Sequence, residues 1–589
     1  MLVAGGGLVG LTAALVLRHH GVAVTVAERR TTTSPQPKAR RFHVRSMEIF
    51  RELGLAGLVR DAARELAGHD HMAAGRTLAE AEQLPLWAPA GAGGAGAISD
   101  ASPELPALIA QDALEPLLRE AAIAAGATVR FGTELTGFRE AGGAVTADLV
   151  DLAGRRAELR ARYLVAADGA RSGVRQSLGI SQSGPGIVGR PSVSVYFRAD
   201  LAAAVRGREF NLCQIDHPDA PGGLASVDGR RRWVFMSTGG GPGDRDWPAR
   251  LRTALGLPVP DLEILSVLPW QAEMRVADRY SDGRVYLAGD AAHVMPPYAA
   301  SGANTGIADV HNLGWKLAAV LRGDASPALL DSYDAERRPA GWFAADQSAR
   351  RTRDLRGLAA GPDPALAHPL VLAAGGFQYP AGALIPDPAR AGDPEPVTEF
   401  GPAGRVGTRV PHRWLDGART QSTIDLAGPG WALLAGTPAG PTSPGVPAGP
   451  GEPAPVAGTT SPGEPGEPAP VAGTTSLGGP PGLTAPPAPS RPGGPTGPGG
   501  PGAPSGPGAP SGLTAPGRPD GARPAGTGRP SGSRSVRTYS VAADFLPAGE
   551  FLLLRPDHVV AWRGTSRAAA EAARAALLHP PRSGDRPAG

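Results

Sequence analysis

The chain opens on apolar residues broken by glycines. Met1 to Ala4 is apolar, Gly5 to Gly10 reads Gly-Gly-Gly-Leu-Val-Gly, and an apolar stretch continues to Leu17 before Arg18-His19-His20-Gly21. This pattern predicts a short buried strand, a glycine turn, a helix to about His20 capped by Gly21, and a strand over Val22–Glu28 that ends on an acid. Farther on, Leu108–Leu118 reads as the start of a helix, and Arg162–Ala167 as a strand running into Asp168-Gly169. From about 190 to 275, strand-like runs such as Ser192–Phe197 and Arg232–Met236 suit an antiparallel sheet. Gly283–Ala288 is a further buried strand, ending at Gly289-Asp290. From near Asn304 to Leu321, the positions Ile307, Val310, Gly314, Leu317, Ala318 and Leu321 keep the helical period. After about residue 350 the pattern weakens, and only 404–434 and 541–563 look strand-bearing.

Composition explains that gap. Between Gly436 and Ser535, 53 of 100 residues are Gly or Pro. Such a stretch cannot bury enough apolar surface to offset its ordering entropy, so residues 436–535 are expected to form a disordered insert. Gly451-Glu-Pro-Ala-Pro-Val-Ala-Gly-Thr-Thr-Ser461 recurs verbatim at 466–476, as a local duplication would leave it. The formal net charge is +3 and no block of five basic residues occurs, so nucleic acid is not an expected partner. Lys38 and Lys316 are the only lysines. The single cysteine, Cys213, excludes a disulfide framework and a cysteine-rich metal site. His69 and His71 fall in a polar turn and read as surface, so no metal is expected. No uninterrupted apolar run approaches the ~18 residues of a membrane span, and a cytoplasmic location without membrane contact is expected.

Three segments carry chemistry. Gly5-x-Gly7-x-x-Gly10 lies between a strand and a helix, with Glu28 at the end of the next strand. Gly5 permits the tight turn, Gly7 lets backbone approach a pyrophosphate, and Gly10 lets helix pack on strand, while Glu28 suits ribose hydroxyls. That pattern reads as dinucleotide binding and leaves NAD and FAD equally open. The second segment is Gly283-Arg-Val-Tyr-Leu-Ala-Gly-Asp-Ala-Ala-His-Val-Met-Pro-Pro297, and the third is Ala161-Arg-Tyr-Leu-Val-Ala-Ala-Asp-Gly-Ala-Arg-Ser-Gly-Val-Arg175.

Together these segments resemble the Gly-Asp and Asp-Gly motifs of the class A, para-hydroxybenzoate hydroxylase-like flavoprotein monooxygenases, and most of all the aromatic polyketide and phenol hydroxylases. Ser301–Ile307 continuing through Asn312-Leu-Gly-Trp-Lys-Leu317 is similar to that family's flavin-facing helix, and Asp331–Pro339 to the helix that closes its domain. The resemblance implies non-covalent FAD and a site residue by residue. Gly5, Gly7, Gly10 and Glu28 would hold the nucleotide, and Arg45, from Lys38–Glu48, would reach the phosphates. Gln111 and Asp290 would lie along the ribityl chain, and Asp168 and Gly289 would also contact the cofactor. Gly302, Ala303 and Asn304 would meet the flavin ring beside Pro296 and Pro297. No obligatory catalytic side chain is implied. His293 suits a cap or a phosphate-proximal place, and Arg171 and Arg175 are ion-paired or touch the nicotinamide cofactor. The sequence departs from the family at Ala299 and Ala300, where glycines are usual.

The implied fold is an α/β FAD-binding domain (1–68, 106–181, 277–350) interleaved with an antiparallel substrate sheet (69–105, 182–276). Residues 402–435 and 536–580 would form a split thioredoxin-like domain around the insert. The implied activity is NAD(P)H- and O2-dependent hydroxylation of an aromatic small molecule through a flavin C4a-hydroperoxide, by a monomer or homodimer. Baeyer–Villiger or epoxidising chemistry on the same scaffold and a non-catalytic flavin-binding paralogue are the alternatives. The Gly/Pro-rich stretch makes a direct prediction. Limited proteolysis should nick native protein first between 436 and 535 and leave an FAD-bearing N-terminal fragment, read by mass spectrometry. First cleavage elsewhere would mean the stretch is ordered or covered.

Overall fold

The computed structural model describes residues 1–84, 94–238, 246–297, 300–355, 363, 365–387, 404–428, 430–437 and 536–580. The Gly/Pro-rich insert lies outside the described residues. Five parallel strands form the central sheet: β1 (Leu2–Ala4), β2 (Thr25–Glu28), β3 (Thr128–Phe131), β4 (Leu164–Ala166) and β5 (Val285–Leu287). They lie in the order β5-β4-β1-β2-β3, with Ser281–Asp282 antiparallel on the β5 edge. The order reverses at β1, so the carboxyl ends of β1 and β4 open a crevice of the kind that takes ligands in such sheets. The second strand is shorter than its pattern predicts. Pairing starts where Thr25 N donates to Met1 O, because β1 offers only three residues.

Seven helices frame the crevice and its surroundings: α1 (Leu8–His19), α2 (Val44–Glu52), α3 (Gln111–Ala124), α4 (Gly173–Ser177), α5 (Ser301–Arg322), α6 (Ser332–Leu355) and α7 (Arg567–Leu578). Helix α5 starts three residues before Asn304. Its N-cap, Ala300, has φ 51, a left-handed conformation that costs a non-glycine residue about 1–2 kcal/mol. Helices α1 and α5 pack through glycine. A Cβ on Gly306 would lie 2.6 Å from Val9 Cγ2, and one on Gly314 2.4 Å from Val16 Cγ1.

A second sheet has seven strands, in the order Glu263–Trp270, Ser192–Arg198, Arg232–Thr238, Gly222–Ser226, Leu212–Ile215, Met72–Gly75 and Glu82–Gln83. It is antiparallel, as expected, except where Leu212–Ile215 pairs parallel with Met72–Gly75. Val193, Val195, Phe197, Trp233 and Phe235 bury one face in a separate core. Strand alternation turns Ser194, Tyr196, Val234 and Met236 to the other face, where Tyr196 packs on Ala110 just before α3. Among the described residues no helix is long and apolar enough to cross a membrane.

The two strand-bearing pieces that flank the insert meet in one sheet. In it β6 (Ala432–Gly436) pairs parallel with β7 (Arg537–Val541) and antiparallel with β8 (Phe551–Leu554), which pairs with β9 (Val560–Gly564). This C-terminal lobe is fastened to α2 by buried charge. Arg409 Nε donates to Glu48 Oε2 at 2.9 Å, and Arg45 to the same oxygen at 3.0 Å. Burial pushes the Glu48 carboxyl up, but Arg409, Arg45 and Ser102 outweigh it and bring it down to about 2. A carboxyl whose value falls on folding adds stability above its ordinary 4.5 and loses it as pH drops toward about 2. Glu48→Gln should therefore cost about 3–5 kcal/mol at pH 7 by leaving buried arginines uncompensated. Thermal melts should show the gap to wild type closing as pH falls through that window.

Candidate functional site

Three loops leave the carboxyl ends of neighbouring strands: Gly5–Gly10 after β1, Asp168-Gly169 after β4, and Gly289-Asp290 after β5. Gly5 has φ 99, and a Cβ there would sit 2.3 Å from Ala167 O; a Cβ on Gly10 would sit 1.9 Å from Gly5 O. These two glycines are required by the turn itself. Gly7 differs: a Cβ there would meet only Glu115 Oε1, at 3.5 Å, so the space before α1 is not filled by protein. Gly302 is alike, with Met295 Cγ at 3.6 Å its nearest neighbour. Glycine at these two places keeps backbone N–H groups approachable from the cleft.

Glu28 accepts from Gly6 N at 2.7 Å and Arg30 N at 2.9 Å, so its carboxylate is already oriented beside the turn. Asp290 is the one acid of the three loops with no protein partner among the described residues. Its side chain is open to solvent yet sits deep among protein atoms, as on a cleft floor. Burial raises its carboxyl above the ordinary value, against the pull of His293 and Lys38. Asp168 caps α4 through Val174 N at 3.1 Å, while its other oxygen is buried without a partner.

Several expected contacts are used by the protein itself. Arg45 has no hydrogen bond to the glycine turn among the described residues. Its guanidinium is held by Glu48, by Asp557 O at 2.9 Å and by His558 Nδ1 at 2.9 Å, which ties α2 to the C-terminal lobe. Lys38, from the same segment, is the cation whose charge acts on Asp290. The Asn304 side chain is fully engaged: it accepts from His43 N and Ser46 Oγ and donates to Arg41 O and Ala300 O. It staples α5 to the start of α2, leaving only its backbone for a ligand. Gln111 is bonded to Ala39 N at 3.2 Å and to Glu115 at 2.7 Å. His293 is buried against Asp309 at 2.7 Å, with Arg337 on the other Asp309 oxygen at 2.9 Å. Arg175 reaches across to Ala291 O at 2.9 Å and so joins the Asp-Gly and Gly-Asp loops; Arg171 is exposed. Pro296 is buried and Pro297 exposed at the mouth of α5, with Ala303 half-buried in its first turn.

Glu115 belongs to none of the motifs. It is buried and accepts from Leu8 N, the first residue of α1, and from Ser34 N, both at 2.9 Å. Its one signal in the sequence is its place a helical turn after Gln111 on the same face. On the sheet side, Asp112 takes Arg232 Nη1 at 2.9 Å and lies near Tyr196, and burial raises its carboxyl. A cavity of about 840 Å³ between α6 and Val276–Asp278 shares no residue with these loops. Its arginines, Arg338 and Arg350, are paired with Asp334, Asp346 and Asp363.

A model of the FAD binding domain matches residues 1–348. The tetracenomycin B2 monooxygenase-dioxygenase of Streptomyces olivaceus is 40% identical over 74% of this chain and 84% of its own length. The aklavinone 12-hydroxylase DnrF of Streptomyces peucetius is 40% identical over 76% and 92%. A solved ternary complex of aklavinone-11 hydroxylase with FAD and aklavinone superposes with a TM-score of 0.73 at 28% identity, covering 98% of this chain and 97% of that one.

An acid whose value rises on folding costs stability once ionised. Asp290→Asn should therefore raise the melting temperature of FAD-free protein at pH 7, with the difference closing as pH falls. Differential scanning fluorimetry of the FAD-free protein checks this.

Proposed function

The chain belongs to the FAD binding domain family, among its FAD-dependent aromatic hydroxylases, and from that premise we propose that it oxygenates a polycyclic phenolic compound of the aromatic polyketide type with NAD(P)H and O2. It is a monooxygenase with FAD as cofactor. The observation that carries the site assignment is Asp290, an unpartnered carboxylate on a cleft floor between two glycine-bordered helix starts. The residues present fit FAD. Backbone N–H groups before α1 suit the pyrophosphate, Glu28 the adenosine ribose, Asp290 and Gln111 the ribityl chain, and the first turn of α5 the ring.

When bound, FAD supplies the redox chemistry, accepting hydride from NAD(P)H and activating O2 toward an electron-rich ring. The protein's own part is electrostatic and steric. The first-turn N–H groups and dipole of α5 offer positive potential where the reduced ring carries negative charge. Lys38 adds charge near Asp290. Pro296 and the face bearing Ser194, Tyr196, Val234 and Met236 present a mostly apolar wall that keeps water from the reacting ring. We assign the FAD half to 1–68, 106–181 and 277–350 and the substrate half to 69–105 and 182–276; the seven-stranded sheet has a core of its own, while Val188, Ala272, Met274 and Val276 at the edges of the second half pack in the core of the first. The C-terminal lobe reads as thioredoxin-like on its parallel β6–β7 pair flanked by β8, β9 and α7.

Asp290→Ala should weaken FAD binding roughly 10- to 150-fold, the value of a charge-assisted hydrogen bond of about 1.5–3 kcal/mol. Fluorescence titration of FAD checks it. NADH or NADPH oxidation by the holoenzyme should rise with added polycyclic phenols or naphthoquinones; no stimulation across such a panel would count against the substrate class.

A further inference from the structure

Helix α5 presents its first turn to the flavin site, but its middle is held from elsewhere. His311 Nε2 lies 2.7 Å from Glu52 Oε2, and His558 Nε2, from the C-terminal lobe, lies 3.0 Å from the same oxygen. Asn312 donates to Asp557 at 2.9 Å and to Glu336 at 2.6 Å. Arg555 joins Glu336 to Asp557. All of these groups are buried or nearly so. His558 sits at φ 64, a left-handed conformation that glycine would take without strain. A strained imidazole kept at that point indicates a task for the side chain.

Glu52, His311 and His558 are also of the right types and spacing for a divalent metal. Two observations speak against one. Arg45 faces His558 Nδ1 at 2.9 Å, and a guanidinium can only donate. Nδ1 is therefore the bare nitrogen and Nε2 carries the hydrogen; Nε2 lies 3.0 Å from Glu52 Oε2 but out of line for a hydrogen bond, and it has no lone pair left for a metal. The buried charges also cancel without one: Arg45, Arg409, Arg555 and Lys316 stand against Glu48, Glu52, Glu336 and Asp557. A dication would leave buried positive charge uncompensated. The cluster is complete as a proton-bearing clasp.

We infer that the C-terminal lobe is a working part of the flavin site: through His558 and Asp557 it positions α5 and so sets how closely the first turn of that helix approaches the flavin. This rests on the reading that the first turn of α5 meets the ring. His558 and Asp557 are positioning residues; they act through Glu52, His311 and Asn312. Arg45 joins the same turn to α2, whose start is stapled to Asn304 in the first turn of α5. Both routes from the lobe end at the helix terminus that would face the cofactor.

The test uses full-length protein reconstituted with FAD. His558→Gly removes the imidazole and suits the left-handed backbone; His558→Asn also tolerates that conformation and serves as the second variant. With far-UV circular dichroism unchanged, FAD affinity should fall about five- to tenfold in His558→Gly. The reduction potential of bound FAD should become more negative in both variants, because a withdrawn helix terminus stabilises the reduced flavin less. Asp290→Ala should lose affinity with a much smaller change in the potential of the FAD that binds. Wild-type affinity in Asp290→Ala would overturn the flavin-site reading; wild-type potential and affinity in both folded His558 variants would overturn this inference alone. Tight one-to-one zinc binding by the wild type, absent in His558→Gly, would overturn the clasp in favour of a metal site.

Discussion

The close parallel approach of α1 and α5 is the constraint on which the site depends. Gly306 lies against Val9 and Gly289, and Gly314 against Val16, at distances where a methyl group would collide with its neighbour. The contacts advance along both helices in the same direction, so both N-termini open on the same side. The N-cap residues Gly7 and Ala300 supply no side-chain cap, and at α1 the carboxylate of Glu115 takes Leu8 N from another helix. Two positive helix ends facing one crevice make a natural place for a molecule with a pyrophosphate at one end and a ring that gains negative charge at the other.

Much of this was legible in the chain because the chemistry is written in local motifs. The glycine turn requires Gly5 and Gly10, and Glu28 and Asp290 stand at the end of β2 and just beyond β5. The α5 period was readable too, although its start was not: a left-handed Ala300 caps the helix where glycine would be the ordinary signal. Side-chain destinations were much less legible. Arg45, Asn304 and His293 occupy motif positions, yet their partners come from residues far away in sequence: Asp557 and His558, Arg41 and His43, and Asp309. Local spacing carries no information about such long-range pairs. Glu115 shows the reverse, a buried carboxylate at the α1 terminus whose role emerges only once Leu8 and Ser34 converge on it.

The C-terminal lobe follows the same logic from the other side. Its pieces are separated by about a hundred residues of Gly/Pro-rich chain, and yet β6 and β7 pair in register. What fastens the lobe is a balanced set of buried charges rather than a broad apolar seam alone. Such a set is expensive to break, which suits an element that must hold a helix in one position. Lys316 and Glu336 are fully buried, and that burial brings the Lys316 ammonium down to about 8.

Whether Gly5–Gly10, Asp290 and the first turn of α5 bound a single FAD site is decided most directly by a crystal structure of the reconstituted FAD complex. The pyrophosphate should lie on the backbone before α1, the Asp290 carboxylate within hydrogen-bond distance of ribityl hydroxyls, and the ring edge against Gly302 and Ala303. An FAD molecule seated elsewhere, or an Asp290 carboxylate left facing solvent beside bound cofactor, would contradict it.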